Sequence, residues 1–215
     1  MRIEPLEASD WPRVAAIYGD GIAGGLATFE TECPSWEEWD AAHLACCRLV
    51  AREGDKVVGW AALSQVSARP CYAGVAEVSI YVGAGARRQG VGRALLEALI
   101  HESEEHGIWT LQGATFAENV ASLRLQADCG FRVMGQRERI ALLNGVWRDT
   151  ILTELVFDLI PTSYIFPPGH RIRVTITGAD KDTALTPQLD PPPTVRLYRG
   201  AEHASHIVLP IVPNP

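Results

Sequence analysis

The chain has 215 residues, and its 47% hydrophobic and 21% charged content is typical of a folded globular protein rather than a disordered one. A formal net charge of −7 provides no basic surface for phosphates, so we expect no nucleic-acid partner. No apolar run reaches the roughly 20 residues that cross a bilayer, and the first ten residues carry no secretory signal pattern. We therefore expect a cytoplasmic protein with no membrane partner.

Strands and helices alternate along the first 157 residues. Short apolar or alternating runs predict seven strands. They lie at 2–6, 47–52, 56–64, 75–82, 109–115, 131–141 and 147–157. Capping residues and apolar stripes at helical spacing predict four helices. They lie at 11–19, 35–45, 91–100 and 119–128. Because strands 75–82 and 109–115 flank one helix, we expect a βαβ crossover in an α/β fold.

The composition changes near residue 158. All six tryptophans lie before residue 150, whereas ten of the fourteen prolines follow Asp158. We therefore predict two parts, 1–157 and 158–215, with a seam near Ile160-Pro161. The five cysteines include no CxxC pair and no zinc-like spacing, which favours reduced thiols and no metal site.

The most informative segment is R-R-Q-G-V-G-R, at 87–93, between the strand 75–82 and the helix that follows it. Two glycines there allow a tight turn that exposes backbone N–H groups. These groups and the positive end of the helix dipole are suited to a pyrophosphate, and the arginines add charge. A glycine-containing loop without a ligand is the alternative. There is no G-K-[ST], and Leu95 stands where G-x-G-x-x-G would need its third glycine.

The pattern R-x-x-G-x-G, formed by Arg87, Gly90 and Gly92, resembles the acetyl-CoA motif of the GNAT acetyltransferase superfamily. Five other segments resemble the branch that acetylates phosphinothricin and methionine sulfoximine, in its order and at roughly its spacing. They are T-F-E at 28–30, A-E-V-S-I-Y-V at 76–82, N-x-x-S at 119–122, C-G-F at 129–131 and G-V-W-R-D at 145–149. The resemblance covers residues 1–157. It implies the GNAT fold, in which helices flank a mixed, mostly antiparallel sheet.

The resemblance also implies acetyl-CoA as co-substrate, bound mainly through backbone groups. The residues it implies for this role are Ile80, Tyr81, Val82, Arg87, Arg88, Gln89, Gly90, Val91, Gly92, Arg93, Asn119 and Ser122. It further implies that the enzyme is a homodimer.

Glu77 is the general base that the resemblance implies. On a strand, Glu77, Ser79 and Tyr81 point to one face, and Val78, Ile80 and Val82 to the other. A carboxylate inside an apolar strand is costly to bury, and burial would raise its pKa toward the range useful for accepting a proton from an amine. A purely structural pairing of Glu77 with an arginine is the alternative interpretation.

We expect direct transfer to the amine of a small amino acid or analogue, such as phosphinothricin, methionine sulfoximine or methionine sulfone. A backbone N–H near Val82 would polarise the acetyl carbonyl. The acceptor pocket is expected to use Thr28, Phe29, Trp60, Arg69 and Tyr72, with Arg69 as the cation for the carboxylate. Arg69 could also be an ordinary solvated loop residue, and Cys129 is a weaker candidate for a covalent nucleophile.

Two departures from the family pattern stand out. Gln126-Ala127 replaces the usual His-Glu pair, and no tyrosine is present there to protonate the leaving thiolate. These departures keep open a non-catalytic acyl-CoA-binding or regulatory module. A broader range of acceptors, including peptide N-termini, is a third possibility.

Residues 158–215 resemble the end of the C-terminal β-sandwich of X-Pro dipeptidyl-peptidase and cocaine-esterase type hydrolases. The likeness lies in the segments 161–176 and 198–210, and alternation over 170–176 predicts a strand. No G-x-S-x-G nucleophile motif occurs in the chain, so we expect no peptidase activity. We therefore expect a β-rich C-terminal extension, and a chain that is a fusion of two gene ends.

Overall fold

A computed structural model describes residues 1–157 of the chain. The strands are β1 (Arg2–Pro5), β2 (Leu49–Glu53), β3 (Lys56–Gln65), β4 (Val75–Val82), β5 (Thr110–Phe116), β6 (Arg132–Leu143) and β7 (Val146–Val156). The α-helices are α1 (Trp11–Ala23), α2 (Trp36–Ala42), α3 (Val91–Glu105) and α4 (Val120–Asp128). Each predicted element of this range is present, whereas the strand predicted at 170–176 lies outside the described residues. None of these helices is both long and apolar enough to cross a membrane.

The strands form one seven-stranded sheet in the order β1-β2-β3-β4-β5-β7-β6. Every neighbouring pair is antiparallel except β4 and β5, which are parallel and are connected by α3. The predicted crossover and the predicted α/β fold with a mostly antiparallel mixed sheet are confirmed.

Several element boundaries differ from the prediction, and the largest difference is at α3, which ends at Glu105 rather than 100. Helix α1 continues four residues beyond Gly19, and α2 ends at Ala42 rather than 45. Strand β2 begins at Leu49 rather than 47, because Cys47 has a φ of 58°, a left-handed conformation that an extended strand does not contain.

The sheet has two differently packed faces. On the α3 face, three leucines of α3 with no exposed surface pack against Val78, Ile80 and Val82 of β4. On the other face, α1 and α2 pack on a layer of aromatic residues that includes Tyr81. We call this second face the acceptor face. The alternation predicted along β4 is therefore confirmed, and Glu77 shares the acceptor face with Tyr81.

The pairing of β4 with β5 is short. Only three positions of β4, from Val75 to Glu77, pair with β5, at Thr110 to Gln112. Beyond them, Val78–Val82 still pairs with β3 but not with β5, and β5 pairs onward with β7 as far as Phe116. The sheet thus opens into a cleft above Glu77. We call the unpaired side, beyond Glu77, the open end of the acceptor face. We call the paired side, near Val75, the closed end.

Two glycines of α1 make a direct test of this packing. An added Cβ at Gly19 would meet no atom within 4 Å, whereas one at Gly21 would lie 2.8 Å from the Tyr81 ring. Gly19→Ala should stabilise the protein by about 0.5–1 kcal/mol through helix propensity. Gly21→Ala should destabilise it by about 1–3 kcal/mol by displacing Tyr81. Urea unfolding of both variants measures the difference, and equal effects at the two sites would contradict the packing of α1 on β4.

Candidate active site

Glu77 lies at the last paired position before β4 and β5 part. Burial raises the pKa of Glu77, and the Arg137 guanidinium partly offsets this by lowering it. Within residues 1–157, the Glu77 carboxylate takes part in no salt bridge. The structural ion pair considered as an alternative is therefore not formed among the described residues. The arrangement leaves a partly buried carboxylate with raised proton affinity at the mouth of the cleft.

The segment 87–93, which we call the glycine loop, leads from β4 into α3 at the same end of the sheet. Arg88 (φ 59°) and Gly90 (φ 83°) are both left-handed, so the chain turns sharply into the helix. The Ala94 N–H donates to the Gly90 carbonyl. For the N–H groups of the three residues before Ala94, no acceptor is found in the described part of the chain. Free N–H groups at a helix N-terminus form a site for an anion.

The side chains of the glycine loop mostly hold the loop itself. Arg87 Nε donates to the Val82 carbonyl at 3.1 Å, and Gln89 Nε2 donates to the Gly85 carbonyl at 2.8 Å. Arg93 pairs with Glu97. Arg88 is exposed, and its guanidinium has no partner within residues 1–157. The groups of the loop that remain available to a ligand are therefore its backbone N–H groups and the Arg88 guanidinium.

Gly92 brings α3 close to its neighbours. A Cβ there would lie 3.2 Å from Leu125 of α4 and 3.6 Å from Val82 of β4. The first turn of α3, with its free N–H groups, is therefore held directly beside the unpaired part of β4. Val91 is buried next to it, so its contribution to a ligand site is limited to its backbone.

Both polar atoms of the Asn119 side-chain amide form hydrogen bonds within the protein. Its Oδ1 accepts from the Ser122 N–H and caps α4, and its Nδ2 donates to the Leu26 carbonyl at 3.0 Å. The residue therefore ties the segment after α1 to the start of α4. Its predicted contact with the pantetheine or adenylate stays a prediction, as does that of Ser122.

The residues predicted for the acceptor pocket separate into three places. Thr28 and Phe29 lie at the open end, where the Phe29 ring meets Phe116 with centroids 4.6 Å apart. Trp60 is only 1% exposed and stacks on Tyr81 at 4.7 Å, within the aromatic layer. Trp60 is therefore a core residue behind Tyr81 rather than an open pocket wall, which corrects the prediction.

Arg69 and Tyr72 lie at the closed end. The Arg69 guanidinium sits 5.8 Å from the centre of the Tyr72 ring. Together with Val75, Thr110 and Gln112 they line an open depression of about 560 Å³ on the acceptor face. Gln112 is the register partner of Glu77, so the depression borders Glu77 on the same face. Thr28 and Phe29 do not line it.

Gln126, which departs from the family pattern, is a buried structural residue. Its Nε2 donates to Thr115 Oγ1 at 3.0 Å, and its Oε1 accepts from Thr153 Oγ1 at 2.6 Å. A Cβ at Gly113 would lie 2.9 Å from the Gln126 amide. The amide thus fastens α4 to β5 and β7, in a network whose members are all satisfied.

Cys129 is poorly placed for nucleophilic catalysis. Burial, followed by the charge of Glu97, raises the pKa of the Cys129 thiol, which disfavours the reactive thiolate. The residue packs on the α3 face, opposite the face of Glu77. Direct attack by the acceptor is therefore the better interpretation.

Two residues of the open end were not singled out from the sequence. Phe116 ends β5, and Arg137 of β6 lies at the register of Thr150, which in turn pairs with Phe116. Arg137 belongs to the run R-E-R, which looks like the solvated edge of a strand. Only the order β5-β7-β6 brings it toward Glu77, so no local signal could have identified it.

A mixed sheet that parts between its two parallel strands, with a glycine loop at the opening, defines the class of N-acetyltransferases. The chain belongs to the acetyltransferase (GNAT) family, whose model matches residues 11–131. Phosphinothricin N-acetyltransferase of Alcaligenes faecalis is 34% identical over 155 residues, which are 67% of this chain and 77% of that protein. The L-methionine sulfoximine/L-methionine sulfone acetyltransferase of Pseudomonas aeruginosa is 28% identical over 72% of this chain and 92% of its own length.

Solved structures agree with the fold. A ribosomal-protein-alanine N-acetyltransferase from Brucella melitensis superposes with a TM-score of 0.68 at 28% identity, covering 73% of this chain and all of that one. A phosphinothricin acetyltransferase from Sinorhizobium meliloti in complex with AcCoA has a TM-score of 0.68 at 24% identity, over 78% of this chain and 96% of that one. The predicted GNAT fold and family are confirmed.

The resemblance of the tail is also confirmed at the level of sequence. Residues 150–208 match the X-Pro dipeptidyl-peptidase C-terminal non-catalytic domain. A protein named as a serine esterase in Mycobacterium bovis is 53% identical over 62 residues, which are 28% of this chain but only 10% of that protein. The match starts inside β7, whose residues pair with β5 in the acetyltransferase sheet.

The raised pKa of Glu77 predicts a pH-dependent stability difference. At low pH the carboxyl is protonated in both folded and unfolded states, so burial costs nothing. As pH rises through the raised folded pKa, the folded state is penalised for the charge. Glu77→Gln should therefore unfold at higher urea concentration than wild type at pH 7, and the difference should shrink below about pH 4.

Glu38 provides a control of opposite sign. The Ser35 backbone N–H and side chain hold the pKa of Glu38 below its usual value. Glu38→Gln should therefore lower stability at pH 7, with the loss fading as pH falls. A destabilised Glu77→Gln at pH 7 would contradict the burial of an unpaired carboxylate.

Proposed function

We propose that residues 1–157 transfer an acetyl group from acetyl-CoA to the amine of a small amino acid or analogue. Phosphinothricin, methionine sulfoximine and methionine sulfone are the acceptors named by the relatives. The observation that carries the proposal is the unpaired Glu77 carboxylate at the point where β4 and β5 part. The cleft gives an acceptor access to a base and to a free strand edge at the same place.

Acetyl-CoA fits the groups that surround the cleft. The free N–H groups at the start of α3 would hold its pyrophosphate, and Arg88 would add charge. The unpaired edge of Val78–Val82 offers backbone groups to the amides of its pantetheine arm. Bound there, acetyl-CoA supplies an acetyl group activated as a thioester.

Glu77 would act on the acceptor amine. At neutral pH the amine is an ammonium ion, and it becomes a nucleophile only after losing a proton. The Glu77 carboxylate takes this proton, directly or through water, and its raised pKa makes it a stronger base than an exposed glutamate. A C–N bond then forms as the C–S bond breaks, and a backbone N–H near Val82 stabilises the carbonyl oxygen.

The proton for the leaving thiolate would come from solvent. Gln126 occupies the position where the family carries a more reactive side chain, and its amide is committed to Thr115 and Thr153. A thiolate is stable enough near neutral pH to leave without a general acid. The chemistry therefore needs one titrating side chain of the protein, Glu77.

We further propose a domain boundary at 157/158 and a cytoplasmic location. Strand β7 ends at Val156, and all seven described strands of the sheet lie within residues 1–157. All five cysteines are free, which agrees with a reducing compartment. The region 158–215 would then be an accessory fragment without hydrolase chemistry.

A thiol-release assay with acetyl-CoA and a panel of amines tests the function. The panel comprises phosphinothricin, methionine sulfoximine, methionine sulfone and ordinary amino acids. We expect turnover of at least one analogue and a loss of about 10²- to 10⁴-fold in kcat for Glu77→Gln, as for removal of a general base.

Two further proteins control this assay. Glu53→Gln changes an exposed glutamate at the far end of β2 and should keep full activity. A chain ending at Asp158 should also keep activity if the tail is an accessory. Acetyl-CoA binding without turnover of any amine would contradict the proposed enzyme activity and favour a non-catalytic acyl-CoA-binding module.

A homodimer is the third part of the proposal. Six large apolar side chains between residues 133 and 147 of the β6–β7 hairpin are exposed, and we call them the hairpin patch. They are Val133, Met134, Ile140, Leu142, Val146 and Trp147. Among residues 1–157, strand β6 is also the edge of the sheet, with 12 residues and one neighbouring strand. Such an edge is ordinarily covered, and a second copy of the chain would cover it.

Sedimentation velocity tests the homodimer. Wild type should have twice the 23.4 kDa mass of one chain, and Trp147→Glu should shift it toward one chain by placing a charge in the hairpin patch. Val120→Glu is the control, because Val120 is also an exposed apolar residue but lies on α4. A monomeric wild type, or equal effects of both substitutions, would refute a dimer through this patch.

A further inference from the structure

Three side chains of chemically different kinds meet at the C-terminal end of α3. They are Cys47, Glu102 and His106, and their ligand atoms lie within 4.8 Å of one another. Among residues 1–157 no other three side chains of cysteine, histidine, aspartate or glutamate meet in this way. Glu102 belongs to the last turn of α3, His106 follows the helix, and Cys47 belongs to the connection between α2 and β2. Because the three come from two separate segments, their spacing along the sequence does not reveal the cluster.

The His106 ring is held in the orientation that a metal ligand needs. Its Nδ1 lies 2.8 Å from the Glu102 carbonyl oxygen. A carbonyl oxygen only accepts, so Nδ1 carries the hydrogen in this contact, and the lone pair of the neutral ring is on Nε2. Metal-bound histidines ordinarily donate their second ring N–H in this manner. One ring nitrogen is thus bonded to the backbone, and the other is available to an ion.

The charged groups of the cluster lack another ionic partner among residues 1–157. Neither Glu102 nor His106 forms a salt bridge there, with the other or with a third residue. By contrast, His101 and Glu105 have the same four-residue spacing on α3 and pair at 3.8 Å between Nε2 and Oε1. The cluster also lies at the negative end of the α3 dipole, which favours a cation.

The donor set selects a metal ion that binds sulfur well. Cys47 is only 1% exposed, whereas Glu102 is half-buried and His106 is exposed. Burial raises the pKa of the Cys47 thiol, so an ion that binds there has to displace the thiol proton. Mg²⁺ and Ca²⁺ prefer oxygen ligands, whereas Zn²⁺ binds thiolate, imidazole and carboxylate together. Ligand atoms around tetrahedral Zn²⁺ lie roughly 3.3–3.8 Å apart, which small rotations of the two side chains near the end of α3 would reach.

We propose that Cys47, Glu102 and His106 bind one Zn²⁺ ion, with water as the fourth ligand. The Cys47 proton passes to solvent as the Zn–S bond forms. The ion fastens the segment that enters β2 to the end of α3. Glu102 lies roughly 16 Å along the helix from Val91, which begins α3 at the glycine loop. The ion therefore stabilises the fold without taking part in acetyl transfer, and its presence does not depend on the proposed function.

Cobalt tests the site directly. Co²⁺ takes the place of Zn²⁺, and a thiolate bound to Co²⁺ gives a charge-transfer absorption band in the near ultraviolet. The full chain, freed of metal by a chelator and kept reduced, is titrated with CoCl₂, and ZnCl₂ then displaces the cobalt. All five cysteines lie within residues 1–157, so the histidines of the region 158–215 cannot produce this band.

Wild type should develop the band to saturation at one equivalent of Co²⁺. Cys47→Ala should abolish it, whereas Cys46→Ala, which removes the neighbouring thiol, should keep it. Glu102→Gln and His106→Gln change side chains that reach solvent, so the fold remains. Each should weaken Co²⁺ binding by at least about 10- to 100-fold, the cost of losing even a residue that supports a ligand. His101→Gln is the matched control and should bind Co²⁺ like wild type.

Urea unfolding gives a second readout. Zn²⁺ should raise the unfolding midpoint of wild type and of His101→Gln but not of His106→Gln, because an ion that binds only the folded state stabilises it. A missing band, a band that Cys46→Ala removes and Cys47→Ala keeps, or equal weakening by His101→Gln and His106→Gln would overturn the assignment. A midpoint that Zn²⁺ raises equally in every variant would place the ion elsewhere on the chain and overturn it as well.

Discussion

Strands β4 and β5 stay paired for only three residues, and the other parts of the site are arranged around their divergence. The parallel pair needs a crossover connection, and α3 supplies it, so the start of α3 necessarily lies beside the end of β4. Past Glu77, one edge of β4 has no strand partner among residues 1–157. Backbone groups in such a place need water or a ligand. The opening therefore creates a binding edge, a helix N-terminus and a carboxylate within one short stretch of chain.

Electrostatics at the opening reflects a balance between burial and one nearby cation. Burial pushes Glu77 toward its neutral form, and Arg137 pulls it back without forming an ion pair. A direct salt bridge would have held the carboxylate ionised and weakened it as a base.

The walls of the site are rigid for different reasons on its two sides. Beneath Tyr81, the stacked Trp60 and the edge-on Tyr18 form a close-packed aromatic layer, and Gly21 lets α1 approach it. Across the cleft, the Gln126 amide ties α4 to β5 and β7 through buried hydroxyls. Both arrangements hold the edges of the cleft apart, since closing it would require repacking a buried ring or breaking a satisfied buried network.

Much of the secondary structure depends on interactions between residues close in the chain, and the sequence by itself determined that part. The alternation of β4, the capping box at Ser35 and the glycine loop predicted the elements, the α/β class and the placement of Glu77 on the face of Tyr81, because each depends on neighbours a few residues away. Helix α1 passed its predicted end at Gly19 because the tertiary contact of Gly21 with Tyr81 overrides helix propensity. Tertiary structure alone decided that Trp60 is core, that Arg69 lies at the closed end, and that Arg137 lies near Glu77. These three depend on strand order and register, which join residues that are as many as 60 positions apart.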